Sequence, residues 1–342
     1  MSPELAALVR QDADAVAAAC LRLPPGGPAP GQRTEDWEAD VAACRAEWDT
    51  FIAPAAAAAI PGEVTISEVV TGACTARLYR PAMSAPAPAV VFYHGGSFWI
   101  TGGLAMRTLG GPLCTRLATR LGAVVLSVDY RLAPEHKYPE PVEDCFAALR
   151  WIVTQSGQLG VDPFRIGLCG ISSGGNLAAA TALQAAAAAM PRPRIMVLMV
   201  PALDLSGPEA LADVGSDGDI DAKILSQVAS LYVPPEVDRS DPGVSPGLAP
   251  DLTGMPPTFV VAGRYDALRD VGVRFAARLN EAGIPAAAAV YPMTHSVALP
   301  GTVKAYTADA FHVLHQALAS GEPDARSWFP TGSKARRSGS DS

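Results

Sequence analysis

Basic charge is what this sequence most plainly lacks. Its 26 Lys and Arg residues are outnumbered by 34 Asp and Glu residues, which gives a formal net charge of −8 at pH 7. Nucleic acids and anionic membrane surfaces are bound by basic faces, so the composition argues against both as partners. An acidic surface mainly serves solubility and does not indicate a substrate.

Long hydrophobic runs are absent as well, and we expect no leader sequence. No apolar run reaches the ~18–20 residues that a membrane-spanning helix needs. The first residues, from Met1 to Leu5, lack the basic and apolar regions of a signal peptide. We therefore expect a soluble, cytoplasmic protein that has no membrane partner.

Cysteine pairs at the spacing of metal or redox sites are the third absence. The six cysteines include no C-x-x-C pair. Cys114, Cys145 and Cys169 lie in apolar stretches, where a thiol behaves as a small hydrophobic side chain. Disulfide frameworks are typical of short secreted chains, so we interpret these cysteines as reduced and structural. The sequence indicates neither a metal nor a cofactor.

Hydrophobic residues, by contrast, are abundant: they make up 49% of the 342 residues, against 18% charged. The runs 89–93 and 123–128 are apolar throughout, which is typical of strands buried on both faces of a parallel sheet. Helical patterns alternate with strands from the third strand onward and predict a doubly wound α/β sheet. Eight strands are predicted, at residues 65–71, 75–80, 88–93, 123–128, 165–169, 195–200, 257–262 and 286–291.

The remaining segments predict additions to this sheet. Two amphipathic helical patterns precede the first strand and predict an N-terminal addition to the sheet over residues 1–55, before the main α/β domain over 56–320. A long insertion at 205–256 interrupts the alternation, as lids and binding loops do. Residues 321–342 are predicted to form a flexible tail.

The stretch Gly170-Ile171-Ser172-Ser173-Gly174 lies between a predicted strand and a predicted helix. That is the context of a G-x-S-x-G nucleophile elbow, whose tight turn lifts the serine hydroxyl above the sheet. The alternative is a Gly/Ser-rich loop without chemistry, which the strand–turn–helix context disfavours. Ser172 is the candidate nucleophile. Ser173 has unsuitable flanking residues, and its expected role is to donate its backbone N–H to an oxyanion.

A second glycine-rich loop, His94-Gly95-Gly96-Ser97, follows the predicted strand 88–93. Glycines let the main chain pass close to a ligand with its N–H groups turned inward, where they stabilise the oxyanion of a tetrahedral intermediate. We interpret His94 as a residue that shapes this loop, because a better base appears downstream.

A serine at neutral pH needs a base and an orienting acid. Asp266 and His295 each follow a predicted strand, so both side chains are expected at the carboxyl edge of the sheet. The chain order Ser, Asp, His is that of the triad on nucleophile-elbow folds. Asp270 is a competing acid, which we interpret as a charge at the start of the next helix.

In these motifs the chain resembles the hormone-sensitive-lipase-like esterases, bacterial family IV of the α/β-hydrolase fold. The resemblance extends over about residues 65–315, with the motifs in the family's order. The motifs are His94-Gly95-Gly96-Ser97-Phe98, the Asp129–Glu135 stretch, the Gly170–Asn176 stretch, Ser245-Pro246, the Asp266–Asp270 stretch and His295. The resemblance implies an eight-stranded, mostly parallel sheet flanked by helices, which forms a catalytic domain over 56–320. It also implies a helical cap built from the 1–55 segment and the 205–236 insertion. It implies Ser172, Asp266 and His295 as the catalytic triad.

The resemblance also implies oxyanion donors, and the chain departs from the family in two places. The donors are expected among the N–H groups of Gly95, Gly96, Ser97 and Ser173. Ser97 replaces the third glycine of the family's H-G-G-G motif but keeps the backbone N–H. Ile171 replaces an acidic residue or threonine before the nucleophile, which removes a polar group near the triad.

The expected activity is hydrolysis of small to medium acyl esters through an acyl-enzyme. Phe98, Trp99 and Ile171 are the expected substrate-binding residues. Two alternatives stay open: a lactonase, cyclase, acyltransferase or dehydratase that uses the same machinery, and a non-catalytic small-molecule receptor. The small-molecule ester is the expected partner, and a homodimer is compatible with the sequence.

Overall fold

The computed structural model describes residues 1–9, 39, 41–46, 64–84, 86–102, 110–214, 218–319, 321 and 324–330. Within these ranges eight strands form one sheet in the order β1-β2-β4-β3-β5-β6-β7-β8, which confirms the predicted sheet. The strands are β1 Val64–Val70, β2 Thr75–Pro81, β3 Ala87–Tyr93, β4 Val124–Asp129, β5 Val161–Ile171, β6 Ile195–Met199, β7 Thr258–Gly263 and β8 Ala286–Tyr291.

The direction of the strands changes across the sheet. β1 and β2 form an antiparallel hairpin at one edge, and β2 is also antiparallel to β4. All other neighbouring strands run parallel. Every residue of β3 and β7 is buried, because helices cover both faces of the parallel part. The edge strand β1 is exposed along most of its length.

Helices cover the sheet in two layers. They are α1 Gly111–Leu121, α2 Glu140–Thr154, α3 Ser173–Ala187, α4 Ala222–Tyr232, α5 Arg269–Glu281 and α6 Pro300–Leu318, besides the single turn Ser156–Leu159. One hydrophobic cluster joins α2, α3 and α5 to the first face, and a second joins α1 and α6 to the other. None of the helices in the described ranges has the length and apolar composition to cross a bilayer.

Parallel pairing places the functional loops together. The carboxyl ends of β3, β5, β7 and β8 meet at the same edge, since these strands run in one direction. The loops that follow them carry the glycine-rich turn at 94–97, Ser172, Asp266 and His295. Ligands bind at this edge in open α/β sheets.

The described part of the N-terminal segment is helical at residues 3–9 and 41–46. Arg45 joins it to the body of the protein: its guanidinium donates to both carboxylate oxygens of Glu135, at 2.8 and 2.9 Å. It also donates to the carbonyl oxygens of Trp99 and Ala133 at 2.8 Å each. The rest of 1–55 lies outside the described residues, so the boundary of the predicted cap segment stays a prediction.

The predicted flexible tail needs a correction at residues 324–330. Ala325–Trp328 forms a 3₁₀ turn, and the Trp328 side chain is buried at 2% exposure. The Arg194 guanidinium lies 5.4 Å from the centre of the Trp328 indole, a distance at which a cation attracts the ring face. Residues 331–342 lie outside the described residues.

Several cysteines are buried thiols, among them Cys74, Cys114, Cys145 and Cys169. Burial raises the pKa of Cys74 to about 11 and the pKa of Cys114 and of Cys169 to about 12. These thiols pack as hydrophobic side chains, as the sequence predicts. Cys20 lies outside the described residues.

Candidate active site

Ser172 lies in a strained turn between β5 and α3. Its φ of 54° and ψ of −116° lie in a region that residues with side chains rarely adopt. A Cβ on Gly174 would lie 2.1 Å from the carbonyl oxygen of Tyr93, and one on Gly170 would lie 2.2 Å from that of Gly174. The Ser172 N–H donates to the Met199 carbonyl at 2.8 Å, so the turn is also tied to β6. These backbone contacts fix the direction in which the Ser172 side chain leaves the main chain.

His295 and Asp266 converge on that hydroxyl, so the structure brings the three predicted residues together. His295 Nε2 lies 2.9 Å from Ser172 Oγ, and Nδ1 lies 3.2 Å from Asp266 Oδ2. The other Asp266 oxygen accepts the N–H of Leu268 at 2.9 Å, and Asp266 is buried. When Nδ1–H donates to the carboxylate, Nε2 is left to accept the serine proton.

The charges around His295 favour its protonated form. Burial disfavours the imidazolium, but the negative charges of Asp266 and Asp219 outweigh it and raise the pKa of His295 above its ordinary 6.5. The hydrogen bond from the ring to Asp266 acts in the same direction. A base in such surroundings accepts a proton readily when the serine attacks.

The glycine-rich turn lies next to the serine. A Cβ on Gly95 would lie 3.5 Å from Ser172 Cβ. The φ angle is 124° at Gly96 and 53° at Ser97, and a Cβ on Gly96 would lie 2.1 Å from Thr101 Oγ1, so that position requires glycine. No acceptor in the described part of the chain takes the N–H of Gly95, Gly96 or Ser97. These donors are available to a ligand oxygen.

Ser173 begins α3, where an N–H group has no partner within the helix. Its side chain is buried at 1% exposure, and the His295 ring contacts Ser172 instead. Ser173 is therefore placed as a backbone donor beside the hydroxyl of Ser172. The positive end of the α3 dipole lies at the same point.

His94 shapes the glycine-rich turn, as the sequence predicts. Its ring is buried, stacks on the Tyr130 ring at a centroid distance of 4.2 Å, and places Nδ1 2.8 Å from the Gly95 carbonyl oxygen. The Tyr130 hydroxyl donates to the His94 carbonyl at 2.8 Å. Burial lowers the pKa of His94 to about 4, so the ring is neutral at physiological pH.

A cavity of about 410 Å³ opens at Ser172 and His295. Its walls are mainly apolar, with Ile171, Met199, Ile220, Ile224, Val261 and Met293 among the lining residues. Ile171, which the sequence analysis expects to bind substrate, lies in this wall. Ile220 and Ile224 come from the predicted 205–236 insertion.

Phe98 and Trp99 do not line the cavity, which corrects their prediction as substrate-binding residues. Both are buried at 0–1% exposure. Phe98 has a φ of 67° and stacks on the Tyr232 ring of α4 at 3.8 Å between centroids. The left-handed turn directs these rings into the core, and Ile100 lines the cavity in their place. Sequence alone does not reveal this turn, since neither residue is a glycine.

Two further polar side chains hold the site together and were not predicted. Asn176 is fully buried and donates through Nδ2 to the carbonyl oxygens of Ala202 and Val244, at 2.7 and 2.8 Å. Asp219 contacts the loop that carries His295. Asn176 belongs to the nucleophile motif and could have been found there. Asp219 stands in a Gly/Asp-rich stretch that has no motif.

The competing candidates lie elsewhere. Asp270 is in the first turn of α5 and pairs with Arg269 at 2.7 Å, as the interpretation of a helix-start charge requires. Two further histidines, His312 and His315, lie exposed on α6. Among the described residues, no group of three His, Cys, Asp or Glu side chains is arranged to hold a metal ion.

Comparisons with known proteins show which family the chain resembles. A family model described as the alpha/beta hydrolase fold matches residues 90–299. The chain is 38% identical over 212 residues to carboxylesterase NlhH of Mycobacterium tuberculosis; the match covers 60% of this chain and 65% of that protein, a little under two thirds of its length. It is 34% identical over 233 residues to an ethyl acetate hydrolase of Pseudomonas putida, covering 66% and 72%.

A solved structure has a fold similar to that of this chain. The hyperthermophilic esterase of Pyrobaculum calidifontis superposes with a TM-score of 0.74 at 30% sequence identity. That superposition covers 93% of this chain and 99% of the archaeal one.

Proposed function

This chain belongs to the α/β-hydrolase-fold family, in its hormone-sensitive-lipase-like branch, and on that basis we propose that it is a serine carboxylic-ester hydrolase. Ser172 is the nucleophile, His295 the general base and acid, and Asp266 the orienting carboxylate. One observation carries the proposal: His295 Nε2 lies 2.9 Å from Ser172 Oγ at the mouth of an apolar cavity.

The first half-reaction acylates the serine. Ser172 Oγ attacks the ester carbonyl carbon while His295 Nε2 takes the hydroxyl proton, and Asp266 stabilises the resulting imidazolium. The N–H groups of Gly95, Gly96, Ser97 and Ser173 are the proposed donors to the negative oxygen of the tetrahedral intermediate. The carbon–oxygen bond to the leaving group then breaks, His295 returns the proton to the departing oxygen, and an alcohol leaves.

The second half-reaction releases the acid. A water molecule gives its proton to His295 Nε2 as its oxygen attacks the acyl carbon. The second tetrahedral intermediate collapses by breaking its bond to Ser172 Oγ, which recovers the proton from His295. A carboxylic acid leaves and the serine is restored.

The substrate class we propose is small to medium acyl esters. A cavity of about 410 Å³ lined by Ile171, Met199 and Val261 suits a short or medium apolar chain. The name of the P. putida relative, an ethyl acetate hydrolase, supports the short end of that range. A cytoplasmic location and a homodimer remain predictions from the sequence.

The test is the Ser172→Ala variant against Ser226→Ala, which changes an exposed serine on α4. We expect Ser172→Ala to lower kcat for p-nitrophenyl butyrate by on the order of 10⁴–10⁶ and Ser226→Ala to leave it unchanged. A fluorophosphonate should label the wild-type chain and fail to label Ser172→Ala. Wild-type turnover by Ser172→Ala would contradict the proposal.

The same reagents separate the alternatives. A non-catalytic receptor gives neither an adduct on Ser172 nor ester turnover. A cyclase or acyltransferase that uses the same serine forms the adduct but prefers a nucleophile other than water, so product analysis with added alcohol distinguishes it from a hydrolase. A lactonase forms the adduct and uses water, so it is recognised by faster turnover of cyclic than of linear esters.

A further inference from the structure

Asp219 makes three hydrogen bonds to the loop that carries the proposed base. Its Oδ1 accepts the N–H of His295 at 2.9 Å, and its Oδ2 accepts the Ser296 N–H and the Thr294 hydroxyl at 2.8 Å each. Asp219 is buried at 7% exposure. A buried carboxylate is costly unless hydrogen-bonded, and these three donors satisfy it.

The bonds act on three consecutive residues, with His295 in the middle. They hold the main chain of the loop, whereas Asp266 holds the ring through Nδ1. The Thr294 hydroxyl also accepts the N–H of Val297 at 3.0 Å, so Asp219 is joined to the turn that closes the loop. Two carboxylates thus fix one histidine, one through the backbone and one through the side chain.

Asp219 comes from the predicted 205–236 insertion and not from the sheet. Ile220, the next residue, lines the cavity, as does Ile224 in the first turn of α4. The segment that forms a wall of the acyl cavity therefore also holds the base. The residues that line the cavity and the residue that bonds to the His295 loop thus belong to one short stretch of the chain, 219–224.

From this geometry we propose that Asp219 is a positioning residue for catalysis: it couples the position of His295 to the part of the cavity wall that Ile220 and Ile224 form. The inference rests on the proposed function, since it assigns a role toward the proposed base. Asp219 contacts neither Ser172 nor the His295 ring and is not itself a catalytic residue. A misplacement of about 1 Å at the base is enough to cost ~100-fold in rate.

The test is Asp219→Asn, with Asp221→Asn as the matched control. Asp221 is two residues away and exposed, and its carboxylate accepts the Ile224 N–H at the start of α4 without touching the His295 loop. An asparagine at 219 presents an NH₂ group to N–H donors, so at least one bond to the loop is lost. We expect kcat to fall by about 10- to 100-fold with KM within about twofold, and Asp221→Asn to stay near wild type.

The pH profile distinguishes positioning from a merely structural role. Asp266 and Asp219 are the two carboxylates whose charges act on His295. Removing the charge of Asp219 shifts the acid limb of kcat/KM to lower pH, because the imidazolium loses part of its stabilisation. Asp221→Asn should leave the limb in place. A variant that only loosens the fold lowers the melting temperature without moving the limb.

A second variant keeps the inference testable if Asp219→Asn does not fold. Thr294→Val removes the hydroxyl bond to Asp219, together with the bond that this hydroxyl accepts from the Val297 N–H, and leaves the two backbone bonds to Asp219 in place. We expect kcat to fall by about threefold to tenfold.

The inference is overturned if kcat and the acid limb of every folded variant match Asp221→Asn, or if KM alone rises. Ser172→Ala, assayed in parallel, tells the two claims apart: activity in that variant contradicts the proposed function, whereas unchanged activity in the Asp219 and Thr294 variants contradicts this inference alone.

Discussion

The proposed nucleophile and the proposed base are held in place by different means. Ser172 lies in the middle of the sheet, and its turn is fixed by close backbone contacts at Gly170 and Gly174. His295 follows β8, the strand at the sheet edge; the side chain of Asp219 holds the main chain of its loop, and the side chain of Asp266 holds its ring. A turn determined by backbone contacts tolerates almost no change, whereas a loop held by side chains can lose one and keep its fold.

The comparison predicts that a change in the elbow damages both the fold and the activity. In Gly174→Ala the new Cβ meets the Tyr93 carbonyl at 2.1 Å, and neither backbone segment can move without disturbing β3 or α3. We expect the free energy of unfolding to fall by about 3 kcal/mol or more, with esterase activity lost. Thermal melts and p-nitrophenyl butyrate turnover measure the two effects.

Gly157→Ala is the matched control for that prediction. A Cβ on Gly157 would meet no atom within 4 Å, and the residue lies in the helical turn Ser156–Leu159. It should leave both stability and turnover close to wild type. If Gly174→Ala melts and hydrolyses like Gly157→Ala, the elbow is less constrained than its contacts indicate.

A change in the carboxylate that orients the His295 ring should cost activity and leave the fold intact. In Asp266→Asn the carboxylate that orients Nδ1–H is lost, and we expect kcat to fall by about 10⁴. The control is Asp270→Asn, whose carboxylate pairs with Arg269 on the surface side of α5 and does not contact His295. A loss of less than tenfold in Asp266→Asn would remove this aspartate from the triad.

The pH dependence of the wild type and of Asp266→Asn tests the contact between His295 and Asp266 a second time. His295 acts as a base only when neutral, and its pKa is raised above 6.5, so wild-type kcat/KM falls as the pH drops through a value above 6.5. Asp266→Asn removes the charge that raises the pKa and leaves the burial that lowers it, so its acid limb moves to lower pH. A limb that moves upward, or stays in place, contradicts this assignment.

The smallest expected change in activity comes from a substitution in the cavity wall, which leaves the contacts of the elbow and of the His295 loop in place. Ile171→Val removes one methylene next to the nucleophile and enlarges the cavity. We expect the preference for longer acyl chains to rise by up to about tenfold with little change in kcat for acetate. Initial rates across p-nitrophenyl esters from acetate to palmitate measure it, and Ile66→Val on the exposed β1 is the control.

The sheet and the three residues of the proposed triad could be recognised in the sequence because each has a local signature. Buried strands are apolar throughout, as in β3, and the elbow has fixed small residues around Ser172. β5 is longer than predicted, Val161–Ile171 against 165–169, because Val161 pairs with Ala87 across a shift in register that lets the strand continue through Pro163.

The parts that sequence did not predict depend on distant contacts. Asp219 and His295 are 76 positions apart, and only the folded chain brings them within 2.9 Å. Phe98 and Trp99 were misassigned because a left-handed backbone turn, which no glycine marks, directs them into the core. Trp328 lies in a polar stretch, and the Arg194 side chain that covers its ring comes from a loop before β6.

The buried thiols have a consequence for how this protein meets electrophiles and oxidants. A cysteine reacts as its thiolate, and a pKa of about 11 or 12 leaves less than ~1 in 1,000 of the Cys74, Cys114 or Cys169 side chains in that form at pH 8. Alkylating agents and peroxide therefore find little to attack at these positions, whereas Ser172 lies at the mouth of an open cavity with a base beside it. Electrophilic reagents should therefore modify the hydroxyl of Ser172 before the thiols of Cys74, Cys114 and Cys169.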